Sequence, residues 1–136
     1  MTKVFNNKYE IEKYYDEKTN TYIFKEDDKY IDLIVFKFDL DVYCSIIAKN
    51  IYAWDIEAFD IKADDITAWN IRARDIKSKD ITADDINAFD IEARDINYYA
   101  VCFAYYNIKC TSIKGRRKNA KHFVLDGTLE VEQNVD

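Results

Sequence analysis

The chain has 136 residues with 26 acidic and 20 basic side chains, a net charge of −6, no proline and two glycines, Gly115 and Gly127. That length suits one domain, and nothing rich in Pro or Gly divides it. No segment approaches the roughly 20 apolar residues of a membrane span.

The N-terminus, MTKVFNNKYE, lacks the apolar region of a signal peptide. Cys44, Cys102 and Cys110 form an odd set without metal-ligand spacing, which predicts buried, reduced thiols and a cytoplasmic protein. Residues 1–45 are not repetitive and form a predicted β-strand cap. YEIEKYY (9–15) and TYIFK (21–25) read as aromatic-rich strands, with turns at DEKTN (16–20) and EDDK (26–29). Ile34, Phe36, Phe38, Leu40 and Val42 alternate with Val35, Lys37, Asp39 and Asp41, the period of a strand. A small antiparallel sheet is expected here, covering the apolar end and open strand edges of the repetitive segment behind it.

From Ile46 to Asn97 the chain is a five-residue repeat. Ile recurs at 46, 51, 56, 61, 66, 71, 76, 81, 86, 91 and 96; Ala stands two places after nearly every one, with Ser78 the small substitute. Asp or Asn precedes each Ile from Asn50 to Asp95. On a helix a five-residue step turns about 500°, so successive Ile would drift about 140° and make no stripe. On one flat strand the odd spacing alternates faces. Short extended segments separated by corners remain, with Ile and Ala pointing inward from each side of a coil and stacked coils burying a continuous core.

Two coil lengths compete. A 15-residue shift matches Trp54 with Trp69 but sets Lys62 beside Lys77. A 20-residue shift matches Asp64 with Asp84, Trp69 with Phe89 and Arg74 with Arg94, and pairs Glu57 with Lys77 and Arg72 with Glu92 as opposite charges. The predicted fold is therefore all-β: a single-stranded β-solenoid over 46–115 with about four-sided, 20-residue coils, an N-terminal antiparallel cap over 1–45, and a basic loop and β-hairpin over 116–136. The period and the Asp/Asn beside a central aliphatic resemble the pentapeptide-repeat family across roughly 46–115. The resemblance implies a right-handed quadrilateral β-helix. Here the small residue follows the Ile, whereas that family places it two positions before.

Beyond Ile96, Val101 keeps the register, and a two-residue slip then brings Ile108, Cys110 and Ile113. YYAVCFAYY (98–106) replaces small residues with large ones, so the last coil is expected to be wider, bulged or closed by aromatics. KGRRKNAKH (114–122) is a basic loop. HFVLDGTLEVE (122–132) reads as a hairpin, with Asp126-Gly127 fitting a type I′ turn.

Enzyme chemistry is not expected. His122 is the only histidine, no motif sets a nucleophile beside it, and neither a phosphate loop nor a metal-binding motif is present. No cofactor or metal is predicted; the periodic Asp residues read as corner side chains accepting backbone N–H bonds. A dry Ile/Ala interior leaves the outside for function. Candidate partner-binding residues are Trp54, Phe59, Trp69, Arg74, Phe89 and Arg94 on aromatic and basic faces, and Asp64, Asp65, Asp84 and Asp85 on an acidic one. Lys114, Arg116, Arg117, Lys118 and Lys121 form a basic tip suited to phosphates.

The expected function is a protein-interaction module. Pentapeptide-repeat proteins include quinolone-resistance members that look like duplex DNA and engage gyrase. The resemblance thus implies an acidic mimic that inhibits a nucleic-acid enzyme of the gyrase type, and a small acidic chain without catalytic residues also suits a phage anti-CRISPR or anti-restriction factor. A structural or self-assembling scaffold and nucleic-acid binding through the tip are the alternatives, and the caps at both ends predict a monomer or a homodimer through an end cap.

Overall fold

A computed structural model describes residues 1–132 of the chain. In chain order the elements are β1 (Thr2–Phe5), a 3-10 helix (Lys8–Tyr14), β2 (Tyr15–Asp16), β3 (Thr21–Ile23), β4 (Lys25–Glu26), β5 (Lys29–Tyr30), β6 (Leu33–Phe36), β7 (Leu40–Asp41), β8 (Ser45–Ile47) and β9 (Asn50–Tyr52). They continue with β10 (Asp55–Glu57), β11 (Asp60–Thr67), β12 (Asn70–Arg72), the long β13 (Asp75–Cys110), β14 (Ser112–Gly115), β15 (Lys121–Val124) and β16 (Leu129–Val131).

These elements build a parallel β-solenoid of about six turns. The coils are three-sided, not four-sided. Ile46 pairs with Ile61 and Ile61 with Ile76 on the first face; Ile51, Ile66 and Ile81 align on the second; Ile56, Ile71 and Ile86 align on the third. The step is 15 residues, so the expected 20-residue coil is corrected. The reason lies in the core. Each repeat Ile from Ile46 to Ile96 is 1–2% exposed and each following repeat Ala 1–8%. Three such pairs close a triangular section lined by Ile and Ala, and a fourth would widen that section beyond what these side chains span. Backbone bonds also continue around the corners, as in Asp64 N–H to Lys49 O (2.7 Å) and Asp84 N–H to Trp69 O (2.8 Å), so turning the chain orphans no donor there.

The N-terminal segment closes one end. Its antiparallel part consists of the β2–β3 and β4–β5 pairs. The alternating stretch after residue 33 belongs instead to the parallel stack: β6 pairs with β9 and β7 with β10. β1 adds a rung beyond β6, and β3 one beyond β8. The strand expected at 9–15 is a 3-10 helix. Asn7 caps it, accepting from the N–H groups of Tyr9 and Glu10, while Glu10 accepts from Asn6 N–H (2.7 Å). That capping box outweighs the strand propensity of the aromatics. Ile11 and Tyr14, three residues apart, turn inward onto Phe5, Phe24 and Phe36, which plug the coil end.

At the other end the coil widens, as the large residues predicted. Tyr98 takes the inward place held by Ala in earlier units and is 1% exposed. The step grows to 17 residues at Ile96–Ile113 and 20 at Cys102–His122. The Tyr98 hydroxyl meets His122 Nδ1 at 2.7 Å. Gly115 lies flat against the phenol; a Cβ there would stand 2.8 Å from the ring and 2.4 Å from Ala120 Cβ. The slip comes earlier than expected: Val101 is 38% exposed and Cys102 takes the inward place. All three cysteines are buried free thiols, and burial, reinforced by Cys110, pushes Cys102 up to about 12.

The predicted C-terminal hairpin is not formed. β15 and β16 each pair in parallel with β13 rather than with one another, and residues 125–128 turn a corner of the last coil. Leu125 N–H donates to Ala104 O (3.1 Å) and Asp126 N–H to Tyr105 O (2.8 Å). Gly127 has no positive φ, and a Cβ there would sit 1.6 Å from Tyr106 O. Asp-Gly is therefore selected by close backbone approach, not by a type I′ turn.

Candidate interaction face

A 15-residue coil sorts the outward side chains into columns. Lys49, Asp64 and Lys79 stack on the corner between the first and second faces; Trp54, Trp69 and Asp84 between the second and third; Phe59, Arg74 and Phe89 between the third and first. Several predicted groupings therefore separate. Trp69 and Phe89 stand on different corners, as do Asp64 and Asp84. Asp65 lies on the second face and Asp85 on the third, so these four aspartates make no single acidic face. Arg94 is apart from Trp54 and Arg74: it stands on the first corner, where its carbonyl accepts from Thr111 N–H (2.8 Å).

The third face gains what the others lose. On one edge the Trp54 and Trp69 rings stack, centroids 6.1 Å apart and 14° from parallel. On the other, the Arg74 guanidinium lies 4.2 Å over Phe59, and Phe89 meets Tyr105 and Tyr106 at 6.0 Å. Trp54, Trp69 and Phe89 are 44%, 58% and 47% exposed. Between these edges lie Asp55, Glu57, Asn70, Arg72 and Asp85, with Asn70 Nδ2 donating to Asp55 Oδ1 (2.9 Å). Further along, the Phe103 and Phe123 rings meet at a tilt of 56°, with centroids 4.9 Å apart. The sequence reading missed Phe103, Phe123 and Tyr106; the 15-residue shift that aligns the tryptophans is the signal that leads to this face.

The other aspartate columns run Asp60, Asp75, Asp90 on the first face and Asp65, Asp80, Asp95 on the second. Donors terminate them: Asn107 Nδ2 reaches Asp90 Oδ1 (3.3 Å) and Ser112 Oγ reaches Asp95 Oδ1 (2.8 Å). Desolvation, then the like charges of Asp60 and Asp90, raises the Asp75 carboxyl; desolvation, then Asp65 and Asp95, raises Asp80. Among the described residues Asp85 is the repeat aspartate whose side chain accepts a backbone N–H, from Val101 (3.1 Å). The expected corner role of these carboxylates is thus replaced by column stacking.

The basic tip is partly engaged by the solenoid itself. Arg116 pairs with Asp84 (3.4 Å), donates to Ala83 O (3.3 Å) and lies 5.8 Å over Tyr99. Lys114 is paired in register on the second face and Lys121 on the third. Arg117 and Lys118 lie on the turn that closes with Ala120 N–H donating to Arg117 O (3.0 Å). A second basic group was not predicted at all: Lys29, Lys49, Lys62, Lys77 and Lys79 line a groove beneath the β4–β5 hairpin.

Among the described residues no helix is long and apolar enough to cross a membrane. Comparison of the chain with protein-family models, curated proteins and solved structures finds no match.

Proposed function

We propose that the protein is a non-enzymatic interaction module that docks a protein partner on its third face. The observation that carries this reading is the pair of exposed aromatic edges, Trp54–Trp69 and Phe59–Arg74–Phe89, flanking one flat sheet. Large exposed aromatics mark binding surfaces, and Trp and Arg dominate interface hot spots. Here the rings are held in stacks on a rigid coil, so little side-chain freedom remains to be lost on docking. At its N-terminal end the same face carries Asp39, Asp41, Asp55 and Glu57 against Arg72. The complementary partner has a basic, groove-bearing surface, and a nucleic-acid enzyme inhibited by this face is the class it fits. We extend the pentapeptide-repeat kinship to the five-residue unit alone, since the coil is three-sided.

A self-assembling scaffold is the second reading. It is favoured by the last coil, where β14, β15 and β16 each pair on one side only among the described residues and Leu129 and Val131 are exposed.

The test is capture from a nuclease-treated bacterial lysate on immobilised protein, comparing the parent chain with Trp54→Ser/Trp69→Ser. We expect the variant to melt within a few degrees of the parent, since both rings are exposed, and to lose the partner. A captured nucleic-acid enzyme that duplex DNA displaces supports the inhibitor reading. Equal capture by a folded variant overturns the face, and recovery of the chain's own copies alone places the scaffold first.

A further inference from the structure

We infer that the protein has a second, independent site: the lysine groove opposite the third face binds a compact polyphosphate anion. The β4–β5 hairpin forms one wall. Its Asp27-Asp28 turn, with φ of 51° and 64°, lifts Lys29 and Tyr30 over the first corner of the coil. The other wall is the solenoid, where three successive rungs present Lys49, then Lys62, then Lys77 and Lys79. The open groove has a volume of about 830 Å³, the size of a small-molecule site.

The charge is concentrated and only partly compensated: five lysines share the lining with Asp28, Asp32 and Asp64. Asp32, at the rim, is already engaged by the Met1 amino group and by Lys49 (3.5 Å). Lys29, Lys62, Lys77 and Lys79 have no carboxylate within ion-pair distance among the described residues. Lys62 and Lys77 stand directly opposite one another in register, a like-charge arrangement that an anion lying between them would relieve. A chain of net charge −6 has carboxylates to spare for such a place, and puts Asp64 alone among these ammonium groups on the solenoid wall.

The extent of the groove indicates the kind of anion. Three rungs span about 10 Å, the reach of a chain of two or three phosphates rather than of a duplex. Beyond Lys79 the charge turns mixed: Glu92 and Arg94 share the next rung, and Lys109 is paired with Glu132 at 3.3 Å. The aspartate columns elsewhere repel an extended polyanion. Lysine supplies mobile point charges, which suit phosphate oxygens. Tyr30, half exposed at the rim, offers a ring to a nucleoside if one is attached.

The experiment is calorimetric titration of the full chain with sodium tripolyphosphate and, separately, ATP, at about 0.15 M salt, where loose surface attraction is screened. We expect one saturable site, weakened about tenfold or more by Lys62→Gln/Lys77→Gln and unchanged by Lys118→Gln/Lys121→Gln at the tip. Both groove lysines project outward and repel each other, so the groove variant should melt no lower than the parent. Tripolyphosphate should raise the melting temperature of the parent but not of that variant. Tighter binding of ATP would identify a nucleotide as the source of the phosphates, and equal binding a bare polyphosphate; either supports the site. No saturable heat with either anion, or equal weakening by both variants, overturns it. A short duplex that binds the same lysines more tightly than tripolyphosphate overturns the compact-anion assignment. Trp54→Ser/Trp69→Ser should bind the anion like the parent, so this site and the interaction face fail separately.

Discussion

Asp75 and Asp80 are the middle carboxylates of two stacked columns, and desolvation followed by like charge above and below raises both. A group whose protonated form is favoured on folding stabilises the fold below its ordinary value, here 3.8, and loses that contribution as pH rises through the raised folded value. Glu26 runs the other way: hydrogen bonds from Lys3 and Tyr14 hold it at about 2, so its contribution is present at neutral pH and lost as pH falls toward that value. The third column already carries a neutral middle member, Asn70, which bonds Asp55. Asp75→Asn/Asp80→Asn should therefore raise stability at pH 7 by about 0.5 kcal/mol per site. It should also flatten the decline in melting temperature between pH 4 and 7. Thermal melts across pH check this; a double variant that melts lower than the parent at pH 7 would contradict it.

Each repeat buries one Ile and, but for Ser78, one Ala along a short extended segment before the chain turns a corner. β12 is one such segment, and Ile71 on it is 2% exposed between Ile56 and Ile86. Ile71→Asp would bury an unpaired carboxylate in that column and should destabilise by more than about 4 kcal/mol, unfolding the protein. Circular dichroism and a melt test this, and a soluble, β-rich, cooperatively melting variant would refute the inward assignment. The inward residues were legible because burial imposes the period directly. The number of sides was not. Opposite-charge pairing favoured 20 residues, but surface pairs are worth little, while filling the core and stacking Trp54 on Trp69 favour 15. The Lys62–Lys77 clash that argued against 15 is present in the fold, and it marks the groove. Two other elements were misread for local reasons: the Asn7–Glu10 capping box lay inside an aromatic run, and Asp126-Gly127 suited two turn chemistries.

Across the molecule the two ends differ. The N-terminal end is plugged by Phe5, Phe24 and Phe36 and covered by rungs β1 and β3, while the outer coil at the other end has an unpaired side among the described residues. Deleting residues 1–24 would uncover Ile34, Phe36 and Ile46 together with the edges of β6 and β8. We expect loss of the cooperative melt and aggregation, measured by calorimetry and light scattering. A truncated chain that stays monomeric and melts sharply would show that the segment is dispensable to the coil.

Read alone, the chain determined that the protein is a β-solenoid with an Ile/Ala interior, because a five-residue period admits no helix and no flat strand. It also indicated which aromatic and charged side chains face outward, since everything between the inward pairs must. Which of those outward residues share a column was decided only by the tertiary structure. Coil length is set by how many inward pairs fill the cross-section, a property of the packed section and not of any one repeat. That choice brings with it the Trp54–Trp69 stack, the dispersal of the predicted acidic face, and a lysine groove completed by a hairpin distant in sequence from most of its lysines.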